Sequence, residues 1–209
     1  AAQGVPVHTG HLVAAAVGRH ALSGIRLVTV DGAAGPSLDV DTLAVAGGWT
    51  PLLHLASQAG ARPVWDDARE AFLPGALPAG WRAVGACAGE GLAELAPLGQ
   101  AVLPRTRGKA FVDLQNDVTA DDVRLAVREG FASVEHLKRY TTLGMATDQG
   151  RTSSVNGLAI LAALRGAPIA ELGTTRFRPP FAPVALGALA GRSVGAHLRP
   201  ERRTPMHDW

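Results

Sequence analysis

The chain has 209 residues, with 20 lysines and arginines against 18 aspartates and glutamates, so its formal charge is only +2. That balance, with 5% aromatic residues to stack on bases, speaks against nucleic-acid binding even at a pI near 9.2. A mean hydropathy of +0.13, with no run approaching the roughly 20 apolar residues of a membrane span, excludes a helical membrane protein, and the single cysteine, Cys87, excludes an internal disulfide framework or an all-cysteine metal site and fits a reducing cytoplasm.

Residues 1–9 lack a starting Met, a basic head and a signal-type apolar stretch, so the chain is expected to begin inside a longer protein. From 1 to 103 it reads as short apolar strands broken by glycine, at 4–9, 24–30, 42–46 and 82–85. Leu43-Ala44-Val45-Ala46 is continuous rather than alternating, as in a strand covered on both faces, and it ends at Gly47-Gly48, where the backbone can turn sharply. Such strand ends are favoured ligand sites. Ala83-Val84 is a second short run, and Gly85, Gly89 and Gly91 then precede Leu92-Ala93-Glu94-Leu95, an expected short helix.

Composition changes after Leu103, where Pro104-Arg105-Thr106-Arg107-Gly108-Lys109 forms a basic joint; the domain boundary is placed there. The pattern then becomes helical over 104–176. Thr119 and Asp122 resemble a capping pair, Val123, Ala126 and Val127 form an apolar stripe, and Gly130 closes the helix. Ser133 is expected to cap a segment carrying Val134, Leu137 and Tyr140, and Thr152 or Ser153 to cap 155–165, stopped by Gly166 and Pro168. The proline- and glycine-rich stretch 177–209 shows little periodicity and reads as a linker, so truncation is expected at both ends.

The segments Phe111-Val112-Asp113-Leu114-Gln115-Asn116-Asp117-Val118-Thr119 and Lys138-Arg139-Tyr140-Thr141-Thr142-Leu143-Gly144-Met145-Ala146-Thr147-Asp148-Gln149-Gly150, followed by Asn156-Gly157, Gly173-Thr174-Thr175 and Phe177-Arg178-Pro179-Pro180, resemble the alpha subunit of heterotetrameric sarcosine oxidase. A looser resemblance, in Ala46-Gly47-Gly48-Trp49-Thr50-Pro51 and Gly85-Ala86-Cys87-Ala88-Gly89, points to the later part of that subunit's dinucleotide-binding domain. Residues Arg203-Thr204-Pro205-Met206-His207-Asp208-Trp209 resemble the entry into its folate-binding aminomethyltransferase domain, which this chain lacks.

The resemblance implies an α/β plus α fold: 1–103 as the C-terminal part of a Rossmann-like FAD/NAD-binding domain, 104–176 as a small helical module, and 177–209 as a linker. It implies that the helical module is similar to the 2Fe-2S domain of bacterioferritin-associated ferredoxin, whose four cysteine positions fall here on Asp113, Gln115, Asp148 and Ser153. No thiolate stands at any of them, so no iron-sulfur cluster is expected. It further implies oxidation of sarcosine to glycine, with hydrogen peroxide and 5,10-methylenetetrahydrofolate as products, in a cytoplasmic complex with beta, gamma and delta subunits. The chain itself would act as scaffold and cofactor interface with no catalytic residue, and tetrahydrofolate would bind only in the absent domain. The alternatives are a subunit of an opine- or amino-acid-dehydrogenase-type flavoprotein and a noncatalytic interaction module.

Within that frame NAD is expected at Gly47, Gly48, Trp49, Thr50, Gly85 and Ala86, where small residues let a pyrophosphate approach backbone amides near a helix start. Ala86, in place of an aspartate, disfavours FAD. FMN at a subunit boundary is expected to meet Lys138, Arg139, Thr141 and Thr142, which gather cations and hydroxyls within one or two helical turns. Gln149, Arg151 and Asn156 rank lower as lining of that interface. A structural role is the reading for His54, His136 and His207, which lack carboxylate or cysteine partners at ligand spacing, and for Cys87.

Overall fold

A computed structural model describes residues 4–46, 49–91 and 108–208. The first element is an antiparallel meander of β1 (His11–Val17), β2 (Gly24–Thr29) and β3 (Ala34–Leu38). His11 pairs with Thr29, Val17 with Gly24 and Ile25 with Leu38, and the β1–β2 register slips between Val13 and Ala15. Ile25 and Leu27 alternate onto one face of β2 and are buried, as a period of two requires.

The strand expected at 24–30 is therefore present, but the other three are not. Residues 4–9 make no strand: Gly4 and Gly10 have positive φ, Pro6 has no N–H to give a ladder, and Val5 and Val7 stay exposed. Residues 42–46 have no ladder partner, and Val45 is 80% exposed, so the continuous apolar run marks no two-sided burial; Gly47 and Gly48 lie outside the described residues. At 82–85 the chain is irregular and turns into a short 3-10 segment, Gly85–Ala88, begun by Gly85 at φ 65°. The helix expected at 92–95 also lies outside the described residues.

A second antiparallel pair, β4 (Val64–Asp66) with β5 (Ala71–Leu73), follows the short α1 (His54–Gln58), and a third, β6 (Phe111–Asp113) with β7 (Val118–Thr119), opens the helical region. All sheets among the described residues are antiparallel. The mixed α/β class holds, while the parallel ladder of a doubly wound lobe is not found among these residues.

Local sequence explains the helices better. In α2 (Ala120–Arg128) Thr119 and Asp122 form the capping box: the Asp122 amide donates to Thr119 Oγ1, and the Thr119 amide to the Asp122 carboxylate at 2.8 Å. These bonds hold the Asp122 carboxyl below its ordinary pKa. Val123 and Ala126 on the inner stripe are fully buried. In α3 (Val134–Thr141) Ser133 Oγ accepts from the His136 amide. Then α4 (Ser154–Arg165) ends at Gly166 in the left-handed region, and the short α5 (Ile169–Leu172) begins after Pro168.

The sequence of α4, SVNGLAILAALR, is apolar around much of its circumference, and such a helix belongs inside. One face, with Ile160 and Leu161, packs with Val118, Val123, Ala126, Leu137 and Leu143. The other, with Leu158 and Ala162, packs with Leu53, Phe72 and Ile169. The helical region and the segment before residue 91 thus share a core through this helix. Gly157 lets α4 approach the preceding loop, since a Cβ there would lie 2.4 Å from Leu143 Cδ2. The stretch after Phe177 contributes α6 (Leu186–Ala190) and a 3-10 segment, Arg192–His197, with Leu186 and Leu189 exposed; the expected linker carries these two short turns.

Candidate functional site

Three places bring chemistry-bearing side chains together. The first is Asp113 at the end of β6, only 3% exposed. Its Oδ1 accepts from the amides of Gln115 (2.9 Å) and Asn116 (3.2 Å), and its Oδ2 from the Gly144 amide (2.9 Å) and Ser153 Oγ (3.2 Å). A buried carboxylate needs such donors. Of Thr152 and Ser153, the two residues expected to cap α4, neither does so with its side chain: Thr152 gives its hydroxyl to Asp148 and Ser153 to Asp113. Nearby, Gln115 Oε1 accepts from Thr147 Oγ1, and the Asp148 carboxylate accepts from the Gly150 amide and the Thr152 hydroxyl.

Of the four positions aligned with cluster ligands, Asp113, Gln115 and Ser153 thus take part in hydrogen bonds that tie the β6–β7 hairpin to the loop between α3 and α4, while Asp148 bonds within that loop. Thiolates, which such a cluster needs, stand at none of them, and these residues do not fit an iron-sulfur group. Gly144 and Gly150 make the close packing possible: a Cβ on Gly150 would sit 2.0 Å from Ser154 Oγ and 3.1 Å from Gly144 Cα.

The second place is the C-terminal half of α3. Arg139 pairs with Glu135 at 2.9 Å. Lys138 is half-buried, and burial holds its ammonium below the ordinary lysine pKa; Glu135 opposes that shift while Arg178 and Arg139 add repulsion. The hydroxyls of the two threonines are engaged by the backbone: Thr141 Oγ1 donates to the Leu137 carbonyl at 2.8 Å and Thr142 Oγ1 to the Thr141 carbonyl. Their protons close the helix end, where Thr142 sits at φ 65°. The cations of the expected FMN surface are thus gathered, with Arg178 as a third that sequence reasoning left out, but neither hydroxyl proton is aimed outward.

The third place is a cavity of about 130 Å³ between the start of α1 and the start of α4, bordered by Thr50, His54, Phe72, Arg151, Ser154 and Phe177. His54, 2% exposed, stacks on Phe177 with ring centres 3.8 Å apart, and its Nε2 accepts from Arg151 Nε at 3.4 Å. Burial, and then the neighbouring Arg151 charge, push the imidazole pKa down from 6.5 to about 4, against a smaller opposite pull from Asp148. Neutral His54 therefore carries its proton on Nδ1, a fully buried atom that makes no side-chain hydrogen bond, and a backbone hydrogen bond to Asp148 adds to the upward pull on the ring's pKa. Arg151 lies over the Phe181 ring at 4.8 Å and donates to the Phe181 carbonyl, while Gln149 donates to the Pro180 carbonyl and accepts from the Arg178 amide. The stretch 177–181 is thus fastened beside the cavity. Asn156 donates only to the Thr152 carbonyl, one turn back.

Of the residues expected for NAD, Thr50 borders this cavity and Trp49 is 75% exposed. The Gly85 amide donates to Glu90 Oε2 at 2.8 Å, so that amide is already engaged by a carboxylate. Ala86 lies in the same 3-10 segment, and Cys87 Sγ donates to the Leu52 carbonyl at 3.4 Å. Among the described residues no cluster of three or more His, Cys, Asp or Glu side chains is placed to hold a metal ion, and no helix is long and apolar enough to cross a membrane.

Residues 107–192, which carry both the Asp113 network and α3, match the family described as the sarcosine oxidase A3 domain, and the relatives below are named as oxidoreductase subunits. Over most of its length the chain is homologous to sarcosine oxidase alpha subunits. It is 43% identical over 210 residues to that of Rhizobium meliloti (strain 1021), a match covering 83% of this chain and 21% of that protein. To that of Corynebacterium sp. (strain U-96) it is 36% identical over 254 residues, covering 99% of this chain and 26% of that protein. A shorter match, 30% over 74 residues, covers 35% of this chain and 16% of an opine oxidase subunit of Rhizobium meliloti (strain 1021). The chain thus spans about a quarter or less of the length of these relatives. The fold is similar to the crystal structure of L-proline dehydrogenase from P. horikoshii, with TM-score 0.62 and 20% identity over 86% of this chain and 44% of that one.

Proposed function

We propose that the chain serves, within a sarcosine oxidase alpha subunit, as a scaffold that presents a phosphate-binding surface to an FMN shared with a neighbouring subunit. The observation that supports this reading is the half-buried Lys138, flanked by Arg139 and Arg178 while the nearest carboxylate, Glu135, is held by Arg139. A partly desolvated ammonium with further cations beside it favours a dianion strongly, because each charge is less screened there than in open water. Arg139 would turn from Glu135 toward the phosphate, and Thr141 and Thr142 would hold the helix end in place rather than donate to the ligand. When bound, FMN supplies electron transfer to oxygen; the chain's own residues bind and orient its phosphate.

In the whole assembly, with beta, gamma and delta subunits in the cytoplasm, the reaction is oxidative demethylation of sarcosine to glycine, forming hydrogen peroxide and, with tetrahydrofolate, 5,10-methylenetetrahydrofolate. An NAD site takes second place in this reading, since it would have to displace Glu90 from the Gly85 amide. The FMN reading is tested by the flavin content of the assembled complex carrying Lys138→Glu or Lys138→Arg. Loss of FMN in the first and retention in the second supports it; full FMN in both overturns it.

A further inference from the structure

The stretch 177–181, Phe-Arg-Pro-Pro-Phe, belongs to no strand or helix. Pro179 and Pro180 carry no backbone N–H, so between the two phenylalanines the Arg178 amide is the one main-chain donor that could tie it down. The side-chain amide of Gln149 takes the place of a ladder there: its Oε1 accepts from the Arg178 amide at 3.1 Å and its Nε2 donates to the Pro180 carbonyl at 2.7 Å. One planar group thus grips the chain on both sides of Pro179. Phe177, stacked on His54, anchors the residue before, and Arg151 holds the Phe181 carbonyl after.

Two observations give this grip a use beyond packing. Gln149 itself has φ 52°, in the left-handed region that side chains other than glycine adopt at a cost, and such conformations persist where surrounding contacts enforce them and gather at functional sites. The second is what the grip fixes. The Arg178 guanidinium joins none of the ion pairs among the described residues, yet it stands near enough to Lys138 to disfavour the charge on that ammonium. Glu135, the carboxylate that acts on Lys138, is paired with Arg139. Holding an unpaired cation beside a second one is unfavourable in itself and becomes favourable once a dianion lies beside both.

We infer that Gln149 is a positioning residue of the phosphate surface: its side-chain amide fixes the backbone of Arg178 so that this guanidinium meets the same anion as Lys138. The inference rests on the reading of α3 as a phosphate surface and gives that surface a second wall, set by the loop before α4. Gln149 touches no ligand. Its length matters, because an amide one methylene shorter cannot reach both the Arg178 amide and the Pro180 carbonyl from the same backbone.

The test uses the natural full-length protein in complex with its partner subunits, read by FMN content per complex and by thermal melting. Gln149→Asn keeps an amide and tolerates the left-handed backbone more readily than Gln, so FMN content is expected to fall by about threefold or more while the melting temperature stays within about 2 °C. Arg178→Gln is expected to lower FMN content by a similar factor, and the double variant by no more than either alone, because both changes withdraw the same guanidinium from the anion. Gln149→Gly, which relieves the backbone altogether, is read in the same way if the Asn variant melts early. Full FMN content in Gln149→Asn, a double loss equal to the product of the single losses, or melting temperatures that fall in step with FMN in both Gln149 variants overturns the inference. If Arg178→Gln and Lys138→Glu also keep full FMN, the phosphate surface itself fails; if they lose FMN and Gln149→Asn does not, only the role of Gln149 is lost.

Discussion

Acidification should weaken the fold through His54 before the carboxylates matter. The folded imidazole has a pKa near 4 against an ordinary 6.5, because it is buried and faces the Arg151 charge, with the Asp148 carboxylate only partly offsetting this. A histidine held below its ordinary value favours the neutral form, so its contribution is fully present above pH 6.5 and is lost as pH falls toward 4. At pH 5 the unfolded side chain is almost wholly protonated while the folded one is almost wholly neutral. Linkage then gives a loss of about 2 kcal/mol relative to pH 8, approaching about 3 kcal/mol below pH 4. Urea unfolding at pH 8, 6.5 and 5 measures this directly in the unaltered chain and in His54→Phe. The carboxyl depressed at Asp122 titrates below its ordinary 3.8, outside this window, and contributions common to both proteins cancel in the difference. The unaltered chain should lose about 2 kcal/mol more than the variant between pH 8 and pH 5. Parallel pH profiles, within about 0.5 kcal/mol, would refute the assignment of a buried neutral imidazole.

Other consequences follow from the Asp113 network and the helix caps. Asp113→Ala strands three backbone amides and the Ser153 hydroxyl and should cost about 2–4 kcal/mol in urea unfolding, with Asp113→Asn intermediate. Gly150→Ala places a Cβ against Ser154 at φ 76° and should cost about 1–3 kcal/mol by thermal melting. Thr119→Ala removes half of the α2 capping box, and a loss of about 1 kcal/mol is expected, measured in the same way.

The helices α2, α3 and α4 were legible in the sequence because their signals are local. Thr119 with Asp122, Ser133 and Gly166 each act within one turn, and each does in the structure what its position implies. The strands misread at 4–9, 42–46 and 82–85 share the opposite property: an apolar run becomes a strand only if a partner and a buried face exist, and neither is written in the run itself. The same limit explains the site. Asp113, Gln115, Asp148 and Ser153 could be singled out by motif, but that their polar groups bond to one another and to neighbours depends on contacts up to 40 residues apart. His54 reads as an ordinary structural histidine because its partner Arg151 is 97 residues away. Arg178, read only as part of a family segment, was not assigned to the α3 surface because it sits in a proline-rich stretch far along the chain from the helix whose charge it reinforces.

The most direct test of the proposed role is sarcosine-dependent peroxide formation by the natural full-length protein in complex with its partner subunits. Sarcosine is expected to be converted to glycine with peroxide released, and Lys138→Glu to lower the rate at least tenfold while Lys138→Arg does not. A complex that ignores sarcosine but oxidises an opine, or one whose rate and FMN content are indifferent to the charge at Lys138, would contradict it.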